Sequence, residues 1–438
     1  MPLKMTPKSG SATGPARPAF EKVFDAQGEE ATMKSVLLVL VTVALTLMSV
    51  LPGLAQDEDR PTVAILRFGD GMSYDATEAG VLDVLQSYGL LSDEENNSQR
   101  LRIRITHPRE EIQGERLNII WGDAGFDLAS ANLMVEHALD QEVDVIVSLT
   151  TAVTQIAVDL TAQMDEPTPV FFTSVYNPFK AGIAESACIK PAHVTGSETH
   201  SSMEDMLALM LLQDPDLQTV GAIYHSSEIM GVLSADELAE AAAGLGVSVE
   251  EVGITNLADI RPATLSLLER GAGALVPLDL LTARGLPIVL VLANQAGVPV
   301  FYPSTAAIYL GATVSSGNFA YYQQGVNVGV MLARHLLGEL DIATTGINVS
   351  RETAVGLNLD SAAMQDVEIV PELREMAEAI VVSGRLSHLS ERLVTAMAGA
   401  GVVLSAEERR DADQAFLEGL YCSPERIAEE QAALDESA

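Results

Sequence analysis

Residues 143–157 read VDVIVSLTTAVTQIA. The opening is a valine and isoleucine run broken by one aspartate. It is too short for a free-standing helix and apolar on successive positions, as a strand buried inside a parallel sheet is. The period then changes: Ala152, Val153, Ile156 and Ala157 recur at helical spacing behind Thr150 and Thr151, residue types that cap helices. Strand, polar turn and helix make half of a βαβ unit, and Pro169–Thr173 supplies the next strand. Working backward, Leu128–Leu139 reads as a helix, Leu117–Trp121 as a strand and Leu101–Thr106 as an exposed strand. Ala76–Gly89 reads as a helix stopped by its glycine, and Pro61–Phe68 as a buried strand entering the turn Gly69-Asp70-Gly71. The alternation predicts an α/β fold with a doubly wound parallel sheet.

The rhythm restarts beyond a polar crossing at Val194–Ser202. Helices are expected at Met203–Leu212, Ala235–Gly244, Ala263–Gly271 and Val326–Leu337, with strands at Thr219–Tyr224, Val247–Val252 and Ala274–Pro277. Ile288–Leu292 alone looks like a strand. Gly285-Leu286-Pro287 before it and Asn294–Gly297 after it are helix start and stop signals, so Val298–Tyr302 must be the strand. Leu386–Ala438 reads as a separate acidic helical tail with apolar stretches at Leu393–Leu404 and Ala415–Tyr421.

Composition narrows the function. The chain has 438 residues, 48% hydrophobic, with 61 Asp and Glu against 25 Lys and Arg, a net charge of −36. Nucleic acid and anionic lipid both need a basic footprint, so neither is an expected partner. The 2 cysteines exclude a disulfide scaffold and a cysteine-based metal centre. Cys188 and Cys422 either pair in an oxidising compartment or stay as buried thiols. Val36–Leu51 is an apolar run after Met33-Lys34, followed by small residues at Gly53 and Ala55. This is the pattern of a signal peptide cleaved after Ala55, with residues 1–55 forming an N-terminal extension and signal and Met33 a candidate start. The mature protein is then expected in the periplasm with no stable membrane insertion. Beyond Ala55 only Lys180 and Lys190 remain, which fits either a salty environment or a genome that writes arginine for lysine.

Motifs for chemistry are missing. There is no Gly-x-Ser-x-Gly elbow, no phosphate loop, no third glycine beside Gly244-Leu245-Gly246 or Gly271-Ala272-Gly273, and no closely spaced pair among the 7 histidines. No catalytic residue, metal or cofactor is expected. In open parallel sheets, ligands bind beyond the carboxyl ends of the strands. Ser148, Thr150 and Thr151 open a helix there, where free N–H groups suit a carboxylate; ordinary capping is the competing reading. Ser226 and Ser227 are in the same position in the second half. Asp279 suits an ammonium group or caps the following segment. Asn177 reads a polar edge or ends its strand, and Ser304 lies at another strand end. Phe68, Tyr176, Tyr224, Tyr321 and Tyr322 form a cage for a ring or cation, or plain packing, in a chain with 5% aromatic residues.

The stretches 143–157, PVFFTSVYNPFKAGI (169–183), HVTGSETHSS (193–202), VGAIYHSSE (220–228), GALVPLD (273–279), GVPVFYPS (297–304) and YYQQG (321–325) together resemble the substrate-binding proteins of ABC transporters with the type I periplasmic fold. They look more like the branch whose ligands include aromatic amino acids than like the family at large. His225 and Ser226 stand where that family has Asn-Pro, and Ala320 where it often has Asp. The resemblance implies two doubly wound parallel-sheet lobes with a hinge: 57–192 with part of 318–345, and 193–317 with part of 346–384. The helical tail is then 385–438, and 92–116 an insertion. It implies a small-molecule ligand, an amino acid, between the lobes and ABC permease subunits as partners. A periplasmic small-molecule hydrolase and a ligand-sensing partner of a sensor kinase are the alternatives.

Overall fold

The computed structural model describes residues 60–104, 109–199, 201–350, 353–398 and 402–437. The expected signal segment and His200 lie outside them. Lobe 1 is built on a six-stranded sheet of β1 (Thr62–Arg67), β2 (Ile112–Gln113), β3 (Asn118–Asp123), β4 (Val145–Leu149), β5 (Val170–Val175) and β6 (Val194–Glu198), in the order β2-β3-β1-β4-β5-β6. Only the short edge strand β2 runs antiparallel to its neighbour. Helices α1 (Met72–Ser87), α2 (Asp93–Arg104), α3 (Leu128–Asp140) and α4 (Thr151–Thr161) alternate with these strands. α1 ends where expected, with Gly89 at φ +70° just beyond it. The exposed strand expected at Leu101–Thr106 is a correction: residues through Arg104 finish α2. This helix opens on an acidic first turn, Asp93, Glu94 and Glu95, which suits its N-terminus, and runs on through Arg104; Ile105 and Thr106 lie outside the described residues.

Lobe 2 carries β7 (Thr219–His225), β8 (Ser248–Ile254) and β9 (Ala274–Pro277) in the order β8-β7-β9. A bridge from Leu275 to Val300 continues this sheet into β10 (Phe301–Tyr302), β11 (Val314–Asn318), β12 (Thr353–Asn358), β13 (Ala379–Val382) and β14 (Arg385–Leu389). In this part β11–β12 and β13–β14 are antiparallel, while the other neighbouring strands run parallel. Between β11 and β12 the chain passes through the helix Tyr321–Leu336, which packs in lobe 1, so no helix on this sheet sets the direction of β12. β13 and β14 are joined by Ser383-Gly384, both at positive φ (54° and 66°), a tight hairpin turn. Residues 385–389, expected to begin the tail, are therefore a strand of the lobe 2 sheet.

Helices α5 (Met203–Gln213), α6 (Ile229–Ala242), α7 (Ile260–Glu269) and α8 (Leu280–Ala296) cover the lobe 2 sheet. Ile288–Leu292 is helical as read, but α8 starts before Gly285, at the Asp279 cap, and Pro287 lies inside it. α9 (Tyr321–Leu336) returns to lobe 1 and lies along α1. Val81, Leu82 and Leu85 of α1 and Val328, Met331 and Leu332 of α9 bury one face of the sheet, against Val63, Ile65 and Val147. Ala131 and Val135 of α3 and Val153 and Ala157 of α4 bury the other, against Ala64, Leu66 and Ile146. Alternate residues of one strand thus enter two cores, which is why β4 is buried at every position.

The remaining helices are α10 (Leu359–Met364), α11 (Pro371–Met376), α12 (Glu391–Ala398), α13 (Ala406–Leu420) and α14 (Pro424–Ser437). The last two are not separate from the rest. Cys188 and Cys422 form a disulfide across 234 residues. Tyr88 Oη donates to Asp413 at 2.9 Å, and Cys188 N donates to Glu430 at 2.7 Å. The tail also pairs with the third crossing between lobes. Gly346 N donates to Leu420 O at 2.7 Å, and Cys422 N to Thr344 O at 2.9 Å. On its other side, Asn348 N donates to Gly196 O of β6 at 2.8 Å. Among the described residues no helix is long and apolar enough to cross a membrane.

Candidate ligand-binding cleft

A cavity of about 960 Å³ lies where the carboxyl ends of the strands of the two lobes face each other, within the size range of small-molecule sites. Lobe 1 contributes Arg67 at the end of β1, Tyr74 and Asp75 in the first turn of α1, Trp121 in β3, and Ser174 and Tyr176 at the end of β5. Lobe 2 contributes Leu278 and Asp279 after β9, Arg284 on α8, and Tyr302 and Ser304 around β10, while Tyr321 opens α9.

The lobe 1 wall is charged. Arg67 Nε lies 2.7 Å from Asp123 and its Nη1 3.2 Å from both Asp75 and Glu78. Arg109 Nη2 lies 2.6 Å from Asp75 and 2.7 Å from Glu78. Glu78 is buried, which pushes its carboxyl up; Arg67 and Arg109 act against that. Burial likewise opposes the charge of Arg67, yet Glu78, Asp123 and Asp75 raise its pKa on balance. The lobe 2 side holds two buried acids, of which Asp279 lines the cavity and Glu228 lies behind it. Asp279 Oδ1 accepts from Thr282 N at 2.8 Å, and its Oδ2 accepts from His225 N. Burial raises its pKa against these backbone donors. Glu228 accepts from Met230 N and Gly231 N at 3.2 Å; burial and then the neighbouring Asp279 push its pKa up to about 8. Tyr302 Oη donates to Asp279 O at 2.7 Å, and Ser304 Oγ lies 3.0 Å from Tyr321 Oη. The result is a chamber whose lining includes both aromatic and charged side chains.

Of the residues expected at the cleft, Tyr176, Asp279, Ser304 and Tyr321 line it. The others do not, each for a local reason. Ser148 Oγ is held by Thr154 Oγ1 at 2.8 Å, and Thr151 Oγ1 accepts from Tyr176 N at 3.0 Å, so these hydroxyls serve lobe 1 itself. Thr150 sits at φ +94° as the residue before α4, buried and off the cavity. Asn177 Nδ2 donates to Glu237 at 3.2 Å, and its Oδ1 accepts from Lys180 N at 3.0 Å. Phe68 packs edge-on against Phe126, and Tyr224 Oη reaches Glu251 at 3.4 Å. Tyr322 turns to the α1 side, where its hydroxyl donates to Asp83 at 2.7 Å. Adjacent residues in a helix point about 100° apart, so Tyr321 and Tyr322 cannot both face the cleft. Ser226 and Ser227 are exposed, and the Glu228 carboxylate already occupies the N-terminus of α6.

Sequence reasoning missed Trp121, Tyr74, Tyr302, Arg67 and Arg109. Trp121 is the chain's 1 tryptophan and lies near the carboxyl end of β3, a signal that was available. Arg109 lies in the segment read as an insertion, and nothing local announces its reach to Glu78.

The family described as ABC transporter substrate binding protein matches residues 109–381. A tyrosine-binding protein of Clostridioides difficile (strain R20291) is 25% identical over 257 residues, 58% of this chain and 72% of its own. A conserved domain protein from Vibrio cholerae has a similar structure, with a TM-score of 0.62 and 23% identity, covering 74% of this chain and 100% of that one. An ABC domain from Streptococcus pneumonia in complex with L-Trp gives 0.62 and 20%, with coverage of 74% and 100%. These likenesses show the two-lobed fold of periplasmic binding proteins. With the family matched across both lobes, the chain belongs to the ABC transporter substrate-binding proteins.

Proposed function

We propose that the cleft binds an amino acid, with aromatic side chains preferred, and that the closed form presents it to an ABC permease. The observation that carries this reading is the lining itself. Trp121, Tyr74, Tyr176, Tyr302 and Tyr321 surround a chamber that also holds carboxylates and guanidiniums. Carboxylates at Asp123 and Asp279 suit an ammonium, the guanidiniums of Arg67 and Arg109 suit a carboxylate, and the rings suit an aromatic side chain. The tyrosine-binding relative and the L-Trp complex support the same class. Hinge closure between the lobes is the step that distinguishes loaded from empty protein. Export with cleavage after Ala55 places the protein in the periplasm; N-terminal sequencing of the secreted form should begin at Gln56.

Because Trp121 is the 1 tryptophan of the chain and lines the cleft, its emission is a built-in reporter. Excited where tyrosine does not absorb, it should respond to L-tyrosine, L-phenylalanine and L-leucine. Calorimetry covers L-tryptophan. Aromatic amino acids should bind at micromolar level, about −8 kcal/mol, and L-leucine more weakly. If none binds tighter than about 1 mM, or about −4 kcal/mol, the amino-acid reading is wrong although the family stands.

A further inference from the structure

We propose that Glu237 is a positioning residue that latches lobe 2 onto lobe 1 at the edge of the cleft and thereby sets the fraction of closed protein. Glu237 lies on α6 of lobe 2 and is not part of the cavity wall. Its carboxylate gathers three side chains of lobe 1. Tyr176 Oη donates to Oε2, Asn177 Nδ2 donates to Oε1 at 3.2 Å, and Lys180 Nζ lies 3.3 Å from Oε1. All three come from the loop that follows β5.

That loop is shaped before the lobes meet. Asn177 is held at φ +39°, and its side-chain oxygen accepts from Lys180 N at 3.0 Å. Both groups thus stay oriented toward α6. Tyr176 is 4% exposed, lines the cavity, and its hydroxyl oxygen also lies 3.2 Å from Ser201 O at the first crossing. Its hydroxyl therefore stands at the junction of cleft, crossing and opposite lobe. Burial and the Glu237 charge push its pKa well up, so it remains a donor.

The energetic centre is the Tyr176–Glu237 contact. A charge-assisted bond between groups shielded from water is stronger than a neutral one, and the Glu237 side chain is 11% exposed. Lys180, with its side chain 44% exposed and shared with the exposed Glu240, adds little. When the lobes part, water takes the place of all three donors. The bonds count only in the closed form, so they bias closure without touching the ligand. Apparent affinity then scales with the closed fraction.

The proposal rests on reading this cleft as a ligand site, but its first test needs no ligand. In solution X-ray scattering of the unliganded full chain, Glu237→Gln should increase the radius of gyration, because an amide no longer holds the tyrosine and ammonium donors as a carboxylate does. Tyr176→Phe, which leaves Asn177 and Lys180 in place, should produce a smaller change in the same direction and serves if Glu237→Gln folds poorly. An unchanged radius of gyration in both variants overturns the latch, whatever the ligand proves to be. Titration of Glu237→Gln with L-tryptophan, L-tyrosine and L-leucine should give ten- to a hundredfold weaker binding of each, with their ratios preserved. A changed aromatic-to-leucine ratio overturns the positioning role in favour of direct contact. If the radius shifts while neither wild type nor variant binds any amino acid, the latch stands and the amino-acid reading falls.

Discussion

Asp279 shows how one residue serves two purposes. From sequence it suits a substrate ammonium, with capping as the competing reading. In the structure it lines the cleft and also caps α8, with Thr282 completing the reciprocal bond. Asp279→Ala should therefore lower the stability of the ligand-free protein by about 1–2 kcal/mol, the usual cost of a lost cap. Asp279→Asn keeps an oxygen for Thr282 N but turns its amide NH2 onto His225 N, so it should recover only part of that loss, while weakening binding of a cationic group. Urea unfolding without ligand measures the loss; an Asp279→Ala protein as stable as wild type would rule out the cap. Glu228 gives a pH effect of defined sign. Its folded pKa is raised to about 8 from 4.5, so between these values the native carboxyl keeps a proton that the unfolded chain has released. Stability from this group is complete below 4.5, falls as pH rises through the window, and is flat above about 8. The slope is at most about 1.4 kcal/mol per pH unit. Glu228→Gln should flatten the decline between pH 6 and 8, seen in urea midpoints; parallel pH profiles of variant and wild type would reject the assignment.

At the scale of elements, α1 and α9 approach backbone to backbone. A Cβ on Gly325 would lie 1.9 Å from Thr77 O, and one on Gly80 2.3 Å from Tyr322 O. Neither backbone atom can yield without separating the helices, and α9 carries Tyr321 into the cleft one turn before Gly325. Gly325→Ala should destabilise by about 1–3 kcal/mol or more. Gly419, in α13 with nothing near its missing Cβ, is the contrast: Gly419→Ala should stabilise by about 0.5–1 kcal/mol. Chemical unfolding of both variants checks the pair, and a neutral Gly325→Ala would show that the helices are less closely packed.

Across the whole molecule, the tail joins lobe 1 to the third crossing through Cys188–Cys422, the Asp413 and Glu430 bonds, and backbone pairing at Gly346. The disulfide closes a loop of 234 residues. Its loss in Cys188→Ser/Cys422→Ser should therefore cost roughly 2–5 kcal/mol and open the tail at Ala406–Leu420 to limited proteolysis sooner. A double variant with wild-type melting temperature and wild-type cleavage rate would show that the tail docks without its covalent tie.

Several features could be read from local chemistry alone. The strand-to-helix change of period at Ser148–Thr151, the Gly89 stop, the helix across Ile288–Leu292 and the strand end at Asp279 depend on neighbours within a few residues, where periodicity and capping act. So does the two-lobe alternation, since each βαβ unit repeats its own pattern. The lining of the cleft is different. Arg109 reaches Glu78 from 31 residues away, and Trp121 joins Tyr302 only because two sheets present their strand ends to each other. Whether Tyr321 or Tyr322 faced the cleft depended on the rotation of α9 against α1. The pairing of Cys188 with Cys422 and the docking of the acidic tail depended on surfaces distant in the chain. Local order arises from short-range backbone and side-chain preferences that a sequence displays directly. The site arises from contacts between distant segments, and those exist only once the lobes are packed.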